Sequence, residues 1–153
     1  MIEPVARPED GAIQFQNLRR ARLQGVELAV RAASPDGRLR AGWSGLLLSA
    51  RDLDVGEPLS YRRPRQSSLT LEGTLLGAVL GADWRYGATV EKVQLYPYDR
   101  RAPLRRLDGR VSVPLFGLRL TVQGNNLTQY YYTDIERNLA APREWLVTLE
   151  RSW

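Results

Sequence analysis

Apolar and polar residues alternate with a period of two along most of the chain, the mark of strands that present one apolar face. Residues 67–75 are the cleanest case: Leu69, Leu71, Gly73 and Leu75 share one face, and Ser68, Thr70, Glu72 and Thr74 share the other. The next segment sets Leu76, Ala78, Leu80, Ala82, Trp84 and Tyr86 on one face, with Asp83 and Arg85 opposite. Leu107, Gly109, Val111, Val113 and Leu115 alternate with Arg106, Asp108, Arg110 and Ser112. Leu118, Leu120, Val122 and Gly124 alternate with Arg119, Thr121, Gln123 and Asn125. In the last segment Trp145, Val147, Leu149 and Trp153 oppose Thr148, Glu150 and Ser152.

Two earlier segments are rougher. Leu39, Ala41, Trp43, Gly45 and Leu47 form one face, blurred by Leu46 and Leu48. Residues 12–32 read as one long strand whose apolar positions are odd at Ala21 and Leu23 and even at Val26, Leu28 and Val30. Gly25 sits at the switch, which predicts a β-bulge there. No amphipathic helix is evident. The prediction is all-β: an antiparallel up-and-down meander of about seven strands (seven or eight). Short connections fall at Ser34-Pro35-Asp36-Gly37, near Leu75-Leu76 and at Phe116-Gly117, and long ones over 50–66, 87–103 and 127–143. Alternate connections of a meander share an end, so all the long loops are expected at one end and all the tight turns at the other.

Composition narrows the chemistry. The 153 residues contain no Cys and no His, which removes thiol nucleophiles, disulfides, Cys/His zinc sites and a Ser-His-Asp triad. No carboxylates stand in a recognisable acid/base pair, so an enzyme is not expected, and neither is a cofactor. The net charge is +5, with Lys92 the single lysine. The arginines are spread over many strands and mixed with acids, unlike the one-sided cluster of a nucleic-acid binder. No apolar run approaches a membrane helix, although a β-barrel dilutes its lipid face with polar residues. Residues 1–10 lack a signal-peptide design.

The apolar face could line the interior of a soluble β-barrel that binds a small apolar ligand, or it could meet lipid. Three features favour lipid. The polar faces carry dense mixed charge (Asp83, Arg85, Arg106, Asp108, Arg110, Arg119), as a wet lumen would. Trp145 and Trp153 bracket Val147 and Leu149, and Trp84 and Tyr86 end another apolar face, as interfacial girdles do. Trp43 lies nearer mid-strand. Finally, the chain closes on Trp153 after Trp145, Val147 and Leu149 at alternate positions, similar to the C-terminal assembly signal of outer-membrane proteins, with Arg151 departing from the pattern.

With these residues in view, the chain resembles the C-terminal part of a TonB-dependent outer-membrane receptor. Asn17 through Leu28, with Gly25-Val26-Glu27, is similar to a typical strand of that family. Residues 52–59 with Arg62, Arg63, Pro64 and Arg65 look like its loop before a downward strand. Asn126-Leu127 with Tyr132 is similar to its Asn-Leu-Phe-Asp-x-x-Tyr motif, Thr128 and Gln129 replacing Phe and Asp. Pro142-Arg143 opens the last strand where Pro-Gly-Arg is frequent. The resemblance implies that residues 1–153 are a transmembrane segment of a 22-strand barrel in the bacterial outer membrane. It implies that the plug domain and signal peptide are absent, and that Met1-Ile2-Glu3 is the tail of a preceding strand. The implied activity is energy-dependent uptake of ferric siderophores, cobalamin or a similar nutrient. The implied partners are that ligand, the TonB system through the missing N-terminal region, the barrel assembly machinery and the lipid bilayer.

Ligand contacts are expected in the long loops, where Tyr96, Tyr98, Arg100, Arg101, Tyr130, Tyr131, Tyr132 and Arg137 offer stacking and charge to an anionic complex. The same tyrosines could pack the loops together or sit at the lipid interface. Asp52, Asp54 and Glu57 lack the full spacing of a calcium loop and read as a solvated acidic turn.

Overall fold

The computed structural model describes residues 2–6, 9–10, 12–17, 20–94, 96, 98, 101–135 and 137–151. Among these it is all-β, with no helix. The strands are β1 (Ile2–Ala6), β2 (Ile13–Asn17), β3 (Ala21–Ala33), β4 (Leu39–Asp52), β5 (Arg65–Leu75), β6 (Ala78–Gly87), β7 (Leu104–Leu115), β8 (Leu118–Asn125), β9 (Thr133–Ile135), β10 (Asn138–Leu139) and β11 (Glu144–Glu150). Seven of them form one antiparallel sheet in the order β11-β8-β7-β6-β5-β4-β3. This is the expected seven-strand meander, with every long loop at one end and every tight turn at the other. β1 and β2 make a separate hairpin, and β9 pairs with β10 inside the last long loop.

The three tight turns have different chemistry. Between β3 and β4, the Gly37 amide donates to the Ser34 carbonyl, and the Asp36 carboxylate accepts from the Ser34 hydroxyl and the Arg38 amide. The other two are two-residue turns with positive φ at both central positions: Leu76 and Gly77 (52° and 82°), and Phe116 and Gly117 (50° and 77°). That is the twist a hairpin prefers. Leu76 is therefore the apex of a turn and not the first residue of a strand face, which corrects the expectation from alternation alone. Gly77, one place later, is the glycine such a turn requires.

Residues 12–32 are not one strand. β2 ends at Asn17 and β3 starts at Ala21, while Ile2 and Glu3 of the expected strand tail lie in β1, paired with β2. The bulge expected at Gly25 is also absent: the β3–β4 ladder runs in unbroken register from Ala21–Asp52 to Ala33–Arg40. Gly25 is needed for another reason. A Cβ there would lie 2.3 Å from the Leu47 carbonyl oxygen, so only glycine lets the two backbones come so close.

Two outcomes follow. Gly25→Ala should lower stability by about 1–3 kcal/mol, the cost of forcing atoms into filled space, whereas Gly42→Ala, whose Cβ would meet nothing within 4 Å, should be near neutral; urea unfolding of the folded protein reads both. At the first turn, the Ser34 hydroxyl and then the Arg38 amide hold the Asp36 carboxyl below its ordinary range. A carboxyl lowered by folding supports the turn above its unfolded value and loses that support as pH falls through the folded one. Exchange protection of the Arg38 amide should thus drop below about pH 4, and Asp36→Asn should abolish that dependence.

Candidate functional site

Register assembles one apolar face from all seven strands. Its rungs run Val26–Leu47, Leu28–Gly45, Val30–Trp43, then Trp43–Leu69, Ala41–Leu71, Leu69–Trp84, Leu71–Ala82, Leu80–Val111, Val111–Val122, Val113–Leu120, Val122–Val147 and Leu120–Leu149. Many of these side chains are open, with Val26 67% exposed, Leu47 60% and Val147 64%, while Leu69, Val113, Leu120 and Val122 are half-buried against their neighbours on the face. Among the described residues the buried hydrophobic side chains are Leu59, Ala88, Val90, Val93 and Tyr132, none of them in the sheet. An apolar face this extensive is far larger than the patches a protein ordinarily leaves to water.

Both ends of the apolar band are slanted across the strands. Arg40, in the last pair of the β3–β4 hairpin, faces Glu72, three residues short of Leu75, where the β5–β6 hairpin ends. Continuing the β6–β7 register one residue past Val79–Ser112 brings Ala78 level with Val113, two residues short of Leu115, where the β7–β8 hairpin ends. Each hairpin therefore steps on by two or three residues, about 8.5 Å along the strands for about 9.6 Å across them. If the turns lie level, the strands tilt by about 40°, within the usual range for barrel walls. With that tilt removed, Tyr86 of β6 and Trp145 of β11 stand at one height, with Trp84 about 5 Å below. The distance from this aromatic row to the tips at Leu76 and Phe116 is about 25 Å, the height of a barrel's apolar band.

The same geometry accounts for the phase change at Gly25. On the apolar face, polar residues take over at Gln24, Ser49, Arg65 and Arg105, at or beyond the level of the aromatic row, and on β5 Ser67, paired with Tyr86, already stands within that row. The alternation of β3 does not break; its apolar stretch simply begins at Val26. Trp43 lies about midway down the band, and its indole N–H donates to the Ser67 hydroxyl at 2.9 Å, so the ring leaves no open donor on that face.

The opposite face is a polar network. Ser44 and Ser68 hydroxyls bond across β4 and β5 at 2.8 Å, Thr70 donates to Asp83 at 2.8 Å, and Ser112 and Thr121 bond at 2.9 Å. Arg110 crosses β6 to pair with Glu72, which Arg40 also approaches at 3.6 Å. The crossing passes over Gly81, where a Cβ would stand 2.8 Å from the Arg110 stem. Asp108, 5% exposed, accepts from Arg106 Nε at 2.7 Å and lies 3.7 Å from Arg85. Of the charges expected on this face, Asp83, Arg85, Arg106, Asp108 and Arg110 are thus joined into bonded groups, most of them across strands.

The long loops gather at the end beyond the aromatic row. Arg63 donates to the carbonyls of Ala88 (2.8 Å) and Thr133 (3.4 Å), joining all three loops. The Tyr61 amide donates to the Lys92 carbonyl, and Lys92 pairs with Glu57 at 2.7 Å. Leu59, Val90 and Val93 are buried in these loops. Asn126 organises the third loop. It is 2% exposed, with φ of 50°, a conformation that Asn tolerates better than most residues. Its backbone N–H donates to Asp108 at 2.8 Å, its amide donates to the carbonyls of Tyr130 and Ala141, and its amide oxygen accepts from the Tyr130 N–H. Leu127 then folds against Gly109 and Gly124, which leave room for it beside the Trp145 ring.

This sorts the loop residues expected to meet ligand. Tyr132 is buried, 6% exposed, and stacks on half-buried Tyr130, so it packs the loop and does not present a ring. Arg101 donates to the Val90 and Glu91 carbonyls. Tyr98 is 98% exposed and Tyr131 55%, and the Arg137 guanidinium sits 3.6 Å above the Tyr96 ring, joining the second and third loops. Arg100 and Trp153 lie outside the described residues. Of the alternating C-terminal residues, Trp145, Val147 and Leu149 lie on the exposed apolar face, and Trp84 stacks on Tyr86 with centroids 6.1 Å apart. The acidic turn is held by neighbours: Asp52 accepts from the Asp54 amide, Asp54 pairs with Arg20 and Glu57 with Lys92. Among the described residues no cluster of metal-binding side chains is present.

Sequence reasoning missed Arg63 and Leu59 as loop organisers, and nothing local distinguishes them from other loop residues. Asn126→Ala should cost roughly 2–4 kcal/mol, from three lost side-chain bonds and the groups they leave buried. It should also make residues 127–143 the first site of limited proteolysis, with the strands intact. No family model matches the chain, and no curated protein matches it significantly.

Proposed function

We propose that this chain is a section of the wall of a bacterial outer-membrane β-barrel of the TonB-dependent receptor type, which takes up a nutrient such as a ferric siderophore or cobalamin. One observation carries the reading: the sheet leaves its leucines, valines and tryptophans open on one face and ties its arginines and carboxylates together on the other. In a barrel wall the first face meets acyl chains and the second lines a wet interior. The alternative, a soluble barrel holding an apolar ligand, asks for the apolar face to be the enclosed one. With the turns set level, the register gives an aromatic row, a tilt of about 40° and a band of about 25 Å, values that suit a bilayer. The exposed rings of Tyr98 and Tyr131 and the Tyr96–Arg137 pair are then the loop groups available to a ligand.

Strand parity supports a larger barrel. With seven strands, β3 and β11 run in the same direction, and both edges carry backbone groups that hydrocarbon cannot satisfy. Two copies with their loops on the same side would pair β11 with β3 in parallel. Antiparallel closure takes an odd number of further strands, as a 22-strand wall does.

The test is depth-resolved quenching of single-tryptophan variants in bilayers with bromines placed along the acyl chain. Trp84 and Trp145 should be quenched best by shallow bromines and Trp43 best by deep ones. Absence of quenching in folded protein would contradict the reading. Liposomes holding this polypeptide alone should show no energy-dependent uptake, and uptake would refute the need for the missing strands.

A further inference from the structure

We propose that the tips of the β5–β6 and β7–β8 turns, Leu76 and Phe116, are lipid anchors seated at the acyl–headgroup boundary of the leaflet at the tight-turn end. This rests on the membrane reading above. The two side chains are the most open large apolar groups in the sheet, 98% and 95% exposed. Each occupies the first central position of its turn at positive φ, where Asn, Asp or Gly is the favoured choice and a large apolar side chain is strained. Two adjacent turns make the same unfavourable local choice, so local turn chemistry does not explain it.

The height of the band does. From the aromatic row to the last paired residues of these hairpins, Leu75–Ala78 and Leu115–Leu118, the apolar face covers about 21 Å, and the turns bring it to about 25 Å. The apolar surface runs on without a polar break from Leu75 and Leu115 into Leu76 and Phe116. The remaining turn is the counter-example. Six residues separate Ala33 from Arg40, against two in each of the others, so that turn projects further. It carries Ser34, Asp36 and Arg38, as a turn in water would. Lipid is the partner that suits both tips at one level, next to a face already proposed to meet lipid; a protein partner would not require them to complete the span.

The chain has no cysteine, so single-cysteine variants carry a nitroxide at one position. In bilayer-folded protein, L76C and F116C labels should collide with oxygen in preference to a water-soluble nickel complex, with a depth near the headgroups. D36C should show the reverse, and V122C, in mid-band, should be the most oxygen-accessible. L76C and F116C labels as open to nickel as D36C, with V122C lipid-exposed, would overturn the anchors and leave the membrane reading standing. Labels at the tips shielded from both reagents would mean contact with protein and would also overturn them. A nickel-accessible V122C would remove the membrane reading itself. As a second readout, the L76N/F116N double variant should fold into bilayers less completely than the parent, although Asn is the better residue for the turn. An equal or greater yield would contradict the proposal.

Discussion

The structure depends on one constraint: strand side chains alternate, and among the described residues the apolar half of the sheet stays largely uncovered. In a sandwich or a helix-backed sheet a second layer takes up that face. Here, among the described residues, the buried apolar side chains lie in the long loops, and Val26, Leu47, Leu71, Val111 and Val147 remain open on the sheet. Hydrophobic burial, usually the main favourable contribution to folding, is therefore largely missing within the chain. On the membrane reading proposed above, acyl chains supply what a core would, without asking anything of the backbone, whose bonds are already made between neighbouring strands.

The polar face faces the opposite requirement. Charges that share a wall must be matched within reach, and the sequence does this across strands. Glu72 receives Arg110 over Gly81 and has Arg40 beside it, while Asp108 sits among Arg106, Arg85 and the Asn126 amide. Asp108 thereby links the wall to the loops: one carboxylate binds arginine on the sheet and also fixes the residue from which the last long loop departs. Arg63 performs a similar service among the loops themselves, through backbone carbonyls. The result is a wall held by ladders and a loop cap held by a small core of its own.

Much of this was legible in the sequence. Alternation gave the seven strands of the sheet, and the lengths of the connections gave the sorting of loops and turns, because both follow from local pattern. What local pattern could not give was register. The switch at Gly25 looks like a bulge until Val26 is set beside Leu47 and the tilt is taken out; then it is the upper margin of a band. The phase flip places a turn near Leu75-Leu76, but Leu76 also reads as a strand residue because it is apolar, and the positive φ values of Leu76 and Gly77 fix the turn on these two residues. Tyr132 and Arg101 looked like ligand contacts because tyrosine and arginine are versatile, and both are engaged within the loops. Asn126 stood out through its resemblance to a motif, although its role as a buried hub emerges only from four converging bonds.

The most direct test of the two-faced wall is a period-two reactivity scan along β8. Single cysteines at 119–123 in bilayer-folded protein are treated with a membrane-impermeant thiol reagent. Reaction at Arg119, Thr121 and Gln123 with protection at Leu120 and Val122 is the result this account predicts. Uniform reaction at all five positions, or the reverse alternation, would contradict it.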